Sequence, residues 1–125
     1  MDLLKKSLAP ITDEAWEEIN DQAKQVFSSL LSGRKIVDFD GPHGPGHSCV
    51  ALGRLDVPNN QSKDNVHYGI HKIQPLLESR VNFRLNTWEL DNVVRGAEDV
   101  DLEPLEKAAE QMAEFEENAI FHGFK

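Results

Sequence analysis

The chain has 125 residues, a usual length for one domain, and its 13 Lys+Arg against 22 Asp+Glu give a formal net charge of −9. A phosphate backbone would be repelled by most faces of such a molecule, which argues against nucleic acid as a partner. No apolar run approaches the ~20 residues that cross a bilayer, and the start lacks the apolar core of a signal peptide, so a cytoplasmic protein without a membrane role is expected.

Residues 1–10 form a short arm, with Leu3, Leu4 and Leu8 around Lys5 and Lys6 and an interruption at Pro10. Thr12 can cap the next helix, with Asp13 and Glu14 in its first turn. Trp16, Ile19, Ala23, Val26, Phe27 and Leu30 then form a stripe that ends at Gly33, while Glu17, Glu18, Asp21 and Lys24 should meet water. Leu31 widens the apolar face, so the helix can dock on its own domain and still offer an apolar groove.

Residues 34–40 alternate, Val37 and Phe39 against Ile36, Asp38 and Asp40, which predicts a half-buried strand. Gly41, Pro42, Gly44, Pro45 and Gly46 then break regular structure. Segments 48–57 and 66–73, joined by the polar stretch PNNQSKDN, predict a long antiparallel ribbon that needs something to lie on. From Leu77 to Leu85 the period is again two, which predicts a further strand.

Asn86 with Glu89 three residues later matches a capping box, and Leu90, Val93 and Val94 make a two-turn helix closed by Gly96. Residues 104–122 read as one long helix of about 28 Å, with Leu105, Ala108, Met112, Phe115 and Ala119 on one face. Asp101 is its expected N-cap and Gly123 its stop. Ala119, Ile120 and Phe121 place apolar groups on several sides of the last turn, which predicts further protein around it. The fold class is α+β, with a leading amphipathic helix, a protruding β-ribbon, a strand and a long spine helix.

The residues that carry a family resemblance run through the whole chain: Ala9-Pro10-Ile11-Thr12 before Trp16, Gly33-Arg34-Lys35-Ile36-Val37-Asp38, Gly41-Pro42 and Leu52-Gly53. They continue with Trp88-Glu89-Leu90-Asp91-Asn92, Arg95-Gly96, 100–106 (VDLEPLE), Phe115-Glu116 and Ile120-Phe121. This set resembles the encapsulin shell proteins, also called linocin-type bacteriocins, which are related to tailed-phage major capsid proteins. The resemblance implies a phage-capsid-like subunit of a self-assembling icosahedral compartment. On it, 1–33 would be the N-terminal arm and lumen-facing helix, 34–47 a strand and Gly/Pro turn, 48–75 the extended loop over a neighbour, and 76–125 the peripheral-domain strand, short helix and spine. The axial domain would lie outside this chain. The implied partners are other copies of the subunit and a cargo enzyme, a ferritin-like protein or haem peroxidase, held by its C-terminal targeting peptide. A non-assembling fragment that binds peptides or modulates assembly is the alternative.

The resemblance also points to sites. Phe27, Leu31, Arg34 and Asp38 match positions at or near the family's cargo-peptide groove. Two apolar side chains one helical turn apart can receive aliphatic anchors, and Arg34 and Asp38 could fix the peptide's ends. The competing reading makes Phe27 core and pairs Arg34 with a nearby acid. Arg80 and Trp88 match positions associated with flavin in some members. The reading preferred here is a Trp packed at a helix start beside an exposed Arg, so no cofactor is expected. His43, His47 and Cys49, the single cysteine, share one Gly/Pro-rich loop without a recognised zinc spacing and are read as loop residues without metal. A ferritin-like di-iron site needs Glu-x-x-His, and no Glu stands three residues before any His. No phosphate loop, nucleophile elbow or His-Glu-x-x-His occurs, so no enzyme is expected.

Overall fold

The computed structural model describes residues 5–59 and 65–123 and separates into two compact units, Met1–Asp40 with Ser79–Lys125, and Gly41–Glu78. Helices build the first unit: α1 (Asp13–Leu30), α2 (Thr87–Val94) and α3 (Glu103–His122). The second holds one antiparallel pair, β1 (Cys49–Asp56) and β2 (Ile70–Pro75), so the fold class is α+β. Leu3 and Leu4 of the expected arm and part of the polar loop, 60–64, lie outside the described residues.

Local chemistry starts each helix. Thr12 is extended and its Oγ1 accepts the Ala15 amide at 3.2 Å, which satisfies one of the orphan donors of a helix N-terminus. Asp13 and Glu14 sit in that positive first turn. Asn86 Oδ1 accepts the Trp88 amide at 2.9 Å and so starts α2. The expected capping box does not close, because Glu89 turns away. Its carboxylate accepts the Asp101 amide at 2.9 Å and the Asn92 side chain at 3.2 Å, tying α2 to the segment before α3. At α3 the cap residue is Leu102, not Asp101. Asp101 still serves the helix from one position earlier by accepting the Glu103 amide at 3.1 Å. Gly123 ends the helix with φ +76°, a conformation that favours glycine.

The core of this unit lies where α1 meets α2 and α3. Ala15, Ile19, Leu90, Leu102 and Leu105 are buried together, with Ile11, Trp16, Ala23, Leu85 and Val100 packed around them. Leu102, placed in the core by the turn before α3, is 1% exposed and contributes about 1.5–3 kcal/mol through burial. The buried stripe of α3 runs Leu105, Ala108, Ala109 and Ala113. It is rotated from the expected one, so Phe115 is 42% exposed. Small residues let α1 approach along that stripe, and bulk at Phe115 would hold it off.

Two expected strands are not strands. Residues 33–35 form a 3₁₀ turn, with Ile36 and Val37 amides both bonded to the Gly33 carbonyl at 3.0 Å, and 38–40 continue without regular structure. Segment 77–85 likewise has no strand assignment. Alternation fixes which side chains share a side, but a strand also needs a ladder partner for its backbone groups, and neither segment has one among the described residues. Val81 and Leu85 are half-buried, and Ser79 Oγ donates to Met112 Sδ at 3.0 Å, so 79–85 packs within the helical unit through side chains.

The ribbon forms, with β2 later in the chain than expected. Cys49 pairs with Pro75, Ala51 with Ile73, and Leu55 with His71. The register slips between Ala51 and Leu55, where Gly53 takes φ +72°. That is a bulge on β1 at a position suited to glycine. Val50, Leu52, Leu55, Ile70 and Ile73 are all exposed.

Candidate functional site

The C-terminal half of α1 and the turn after it form an open depression of about 730 Å³. Phe27, Leu31 and Arg34 line it together, with Ala23, Lys24 and Lys35. The helical repeat explains the set: 20, 23, 24, 27, 28 and 31 recur at steps of three and one, so they share one face. Leu31 ends the helix with its amide on the Phe27 carbonyl at 2.9 Å, which holds the two side chains one turn apart. Phe27 and Leu31 are half-buried. Asp38, the fourth expected residue, is exposed and does not line the depression.

The last turns of α3 hold the corner that follows α1. Glu117 accepts the Ser32 and Gly33 amides, each at 2.9 Å, and the Ser32 hydroxyl at 2.7 Å. These donors hold its carboxyl below the usual carboxylate range, the Gly33 amide first and the Ser32 hydroxyl next. Gly33 is buried beneath them, and a Cβ there would lie 2.8 Å from Ile120 Cδ1. Beside this clamp, Arg34 makes a two-pronged pair with Glu116, its Nε donating at 2.8 Å. The hydrogen bond to Glu116 raises the guanidinium above its usual range. The Arg34 guanidinium also stands 4.9 Å from the centre of the Phe39 ring.

Arg34 is therefore already satisfied inside the fold, and it serves the groove first as a wall. Glu116 and Glu117 position this corner, which the helical periodicity of 104–122 does not reveal. A carboxylate reaching back to a turn more than eighty residues earlier leaves no local signature. Lys24 is exposed, as expected, and its spacing to Phe27, Ser28 and Leu31 sets it at the rim of the depression.

The other candidate positions lie elsewhere. Arg80 belongs to the segment without regular structure before α2. Trp88 stands at the start of α2, 76% exposed and not packed as expected. The His43 and His47 rings lie 4.6 Å apart between centres and are tilted by 40°, and Cys49 begins β1. Among the described residues no three His, Cys, Asp or Glu side chains converge to hold a metal ion, and no helix is long and apolar enough to cross a membrane.

Comparison with known proteins puts this arrangement in context. Residues 1–125 match the Linocin_M18 family, described as "Encapsulating protein for peroxidase". The chain is similar to proteins named "Type 1 encapsulin shell protein". It is 39% identical to that of Mycolicibacterium paratuberculosis over 127 residues, 99% of this chain and 46% of the relative. The Rhodococcus erythropolis protein is 40% identical over 121 residues, 97% of this chain and 46% of the relative. The Rhodospirillum rubrum protein is 40% identical over 129 residues, with 99% and 46% covered. The chain thus spans about half the length of the curated relatives it matches. With the match running from its first residue to its last, the chain belongs to the linocin-type family of encapsulating proteins.

Proposed function

We propose that this chain forms the N-terminal part of a structural shell subunit, with a phage-capsid-like fold, that assembles with further copies into a closed icosahedral compartment in the cytoplasm. The subunit is not an enzyme. It recruits one, a haem peroxidase or a ferritin-like protein, through the cargo's C-terminal targeting peptide, which lies in the groove of Phe27, Leu31 and Arg34. The observation that carries the reading is the family match over all 125 residues, and the shell name of the relatives supports it. The exposed apolar side chains of the ribbon support it physically, because a two-stranded ribbon of this kind is marginal in water until something covers it. The family description favours a peroxidase among the two cargo classes.

Size-exclusion chromatography followed by negative-stain electron microscopy of the 125-residue chain tests assembly. Closed particles of megadalton size are expected. A second reading, a non-assembling fragment that binds peptides or modulates the assembly of longer subunits, is favoured by the 46% coverage of the relatives. A small soluble species or amorphous aggregate would select it and remove the shell role from this chain.

A further inference from the structure

Charge is unevenly divided between the two units. Gly41–Glu78 balances Arg54, Lys63 and Lys72 against Asp56, Asp64 and Glu78, so the whole formal −9 falls on the helical unit. Four of the five histidines, His43, His47, His67 and His71, fall on the neutral ribbon unit, and all four are exposed. Imidazole is the side chain that changes charge between about pH 5 and 8, whereas carboxylates stay ionised over most of that range. Mild acid therefore makes the ribbon unit cationic, by as many as four charges, and leaves the helical unit anionic. The surroundings of the histidines keep that sign. The His43 and His47 rings have each other at 4.6 Å between centres, and no charged residue occurs in 41–53. His71 pairs across the ribbon with Leu55, whose neighbours Arg54 and Asp56 offset one another, and Lys72 follows it on β2. His67 precedes β2, next to Tyr68.

We propose that contact between copies is proton-controlled: the histidine-bearing ribbon unit of one copy docks on the acidic helical unit of a second, and protonation of the ribbon histidines strengthens that contact. The proposal rests on the assembly reading and adds its regulation. A second copy is the partner because the chain supplies its own complement, histidines on one unit and the entire −9 on the other. The contact is heterologous, one unit against the other, so it repeats from copy to copy and closes into a ring where the rotation allows. The exposed apolar side chains of the ribbon act at any pH, and imidazolium charge adds to them only in mild acid.

The test is sedimentation velocity of the 125-residue chain at about pH 8 and about pH 5.5, each in ~0.02 M and ~0.3 M sodium chloride. At low salt, the concentration at which half the chain is associated is expected to be about tenfold lower at the lower pH, as a few exposed ion pairs allow. Salt should change the sign of its effect with pH. It screens attraction and weakens association in mild acid, and it screens repulsion and strengthens association at the higher pH. The acid gain should vanish in His43→Gln/His47→Gln/His67→Gln/His71→Gln, which should associate like the wild type at the higher pH. It should persist in His122→Gln, a change at the one histidine of the helical unit. Equal association at both pH values overturns proton control and leaves assembly standing. An acid gain that survives the fourfold variant overturns the assignment to the ribbon. One that grows with salt shows relief of net repulsion and overturns docking on the acidic unit. If the chain stays monomeric under all four conditions, the assembly reading falls and this proposal falls with it.

Discussion

Glu117 shows how much one side chain can organise. Three donors from Ser32 and Gly33 converge on its carboxylate and hold its protonation below the usual range. A carboxyl whose folded pKa is depressed contributes stability that is present above its unfolded value and lost as pH falls through the folded one. The clamp is therefore intact at neutral pH and released only beneath the ordinary glutamate range. Glu117→Gln should lower the urea midpoint at neutral pH, and the deficit should close as the pH falls beneath the ordinary glutamate range, where the wild-type carboxyl also takes up its proton. An equal deficit at both pH values would mean that the side chain acts through packing alone. Gly33 tests the same corner sterically. A methyl group there meets Ile120 Cδ1 at 2.8 Å and Cγ2 at 3.1 Å, so Gly33→Ala should cost about 1–3 kcal/mol as an overpacking substitution. Trimming the contact in Gly33→Ala/Ile120→Val should recover part of that loss in thermal denaturation, whereas additive losses would show that Ile120 is not the obstacle.

The elements divide by what their stability depends on. The starts of α1 and α2 and the stop of α3 are local and can be read along the chain: Thr12 before Asp13, Asn86 before Thr87 and Gly123 after His122 mark real boundaries, whereas the cap residue and the buried stripe of α3 are set by packing. The β-ribbon depends on what lies across it, with apolar side chains exposed along both strands. In the dispersed chain its backbone amides should exchange with deuterium on the order of a hundredfold faster than those of α3, because few buried contacts protect them. On association they should slow toward the helical values. Ribbon amides that remain fast in associated material would show that this surface is not the one that becomes covered. The same dependence explains what the sequence left illegible. Segments 34–40 and 77–85 alternate convincingly, yet alternation records only a choice of side and not a hydrogen-bonding neighbour, and neither segment is paired among the described residues. At the depression on α1, the shared face of Phe27 and Leu31 was legible through helical spacing. Glu116 and Glu117 were not, because their partners are distant in sequence and adjacent only once α1 rests on α3.

Association of whole molecules sets apolar attraction against like charge. Each copy carries a formal −9 and presents exposed Val50, Leu52, Leu55, Ile70 and Ile73 on its ribbon. Burying on the order of 600 Å² of apolar surface per contact would contribute about 15 kcal/mol. Lost translational and rotational freedom costs roughly 4–15 kcal/mol, so the two nearly offset each other and a few kcal/mol of repulsion decides the balance. Screening controls that repulsion, since the Debye length falls from about 30 Å at 0.01 M salt to about 10 Å at 0.1 M. Association followed by sedimentation velocity should therefore strengthen as sodium chloride is raised from ~0.01 M to ~0.5 M. If higher salt instead disperses the copies, the contacts between them are ionic, and the apolar ribbon is not what holds the assembly together.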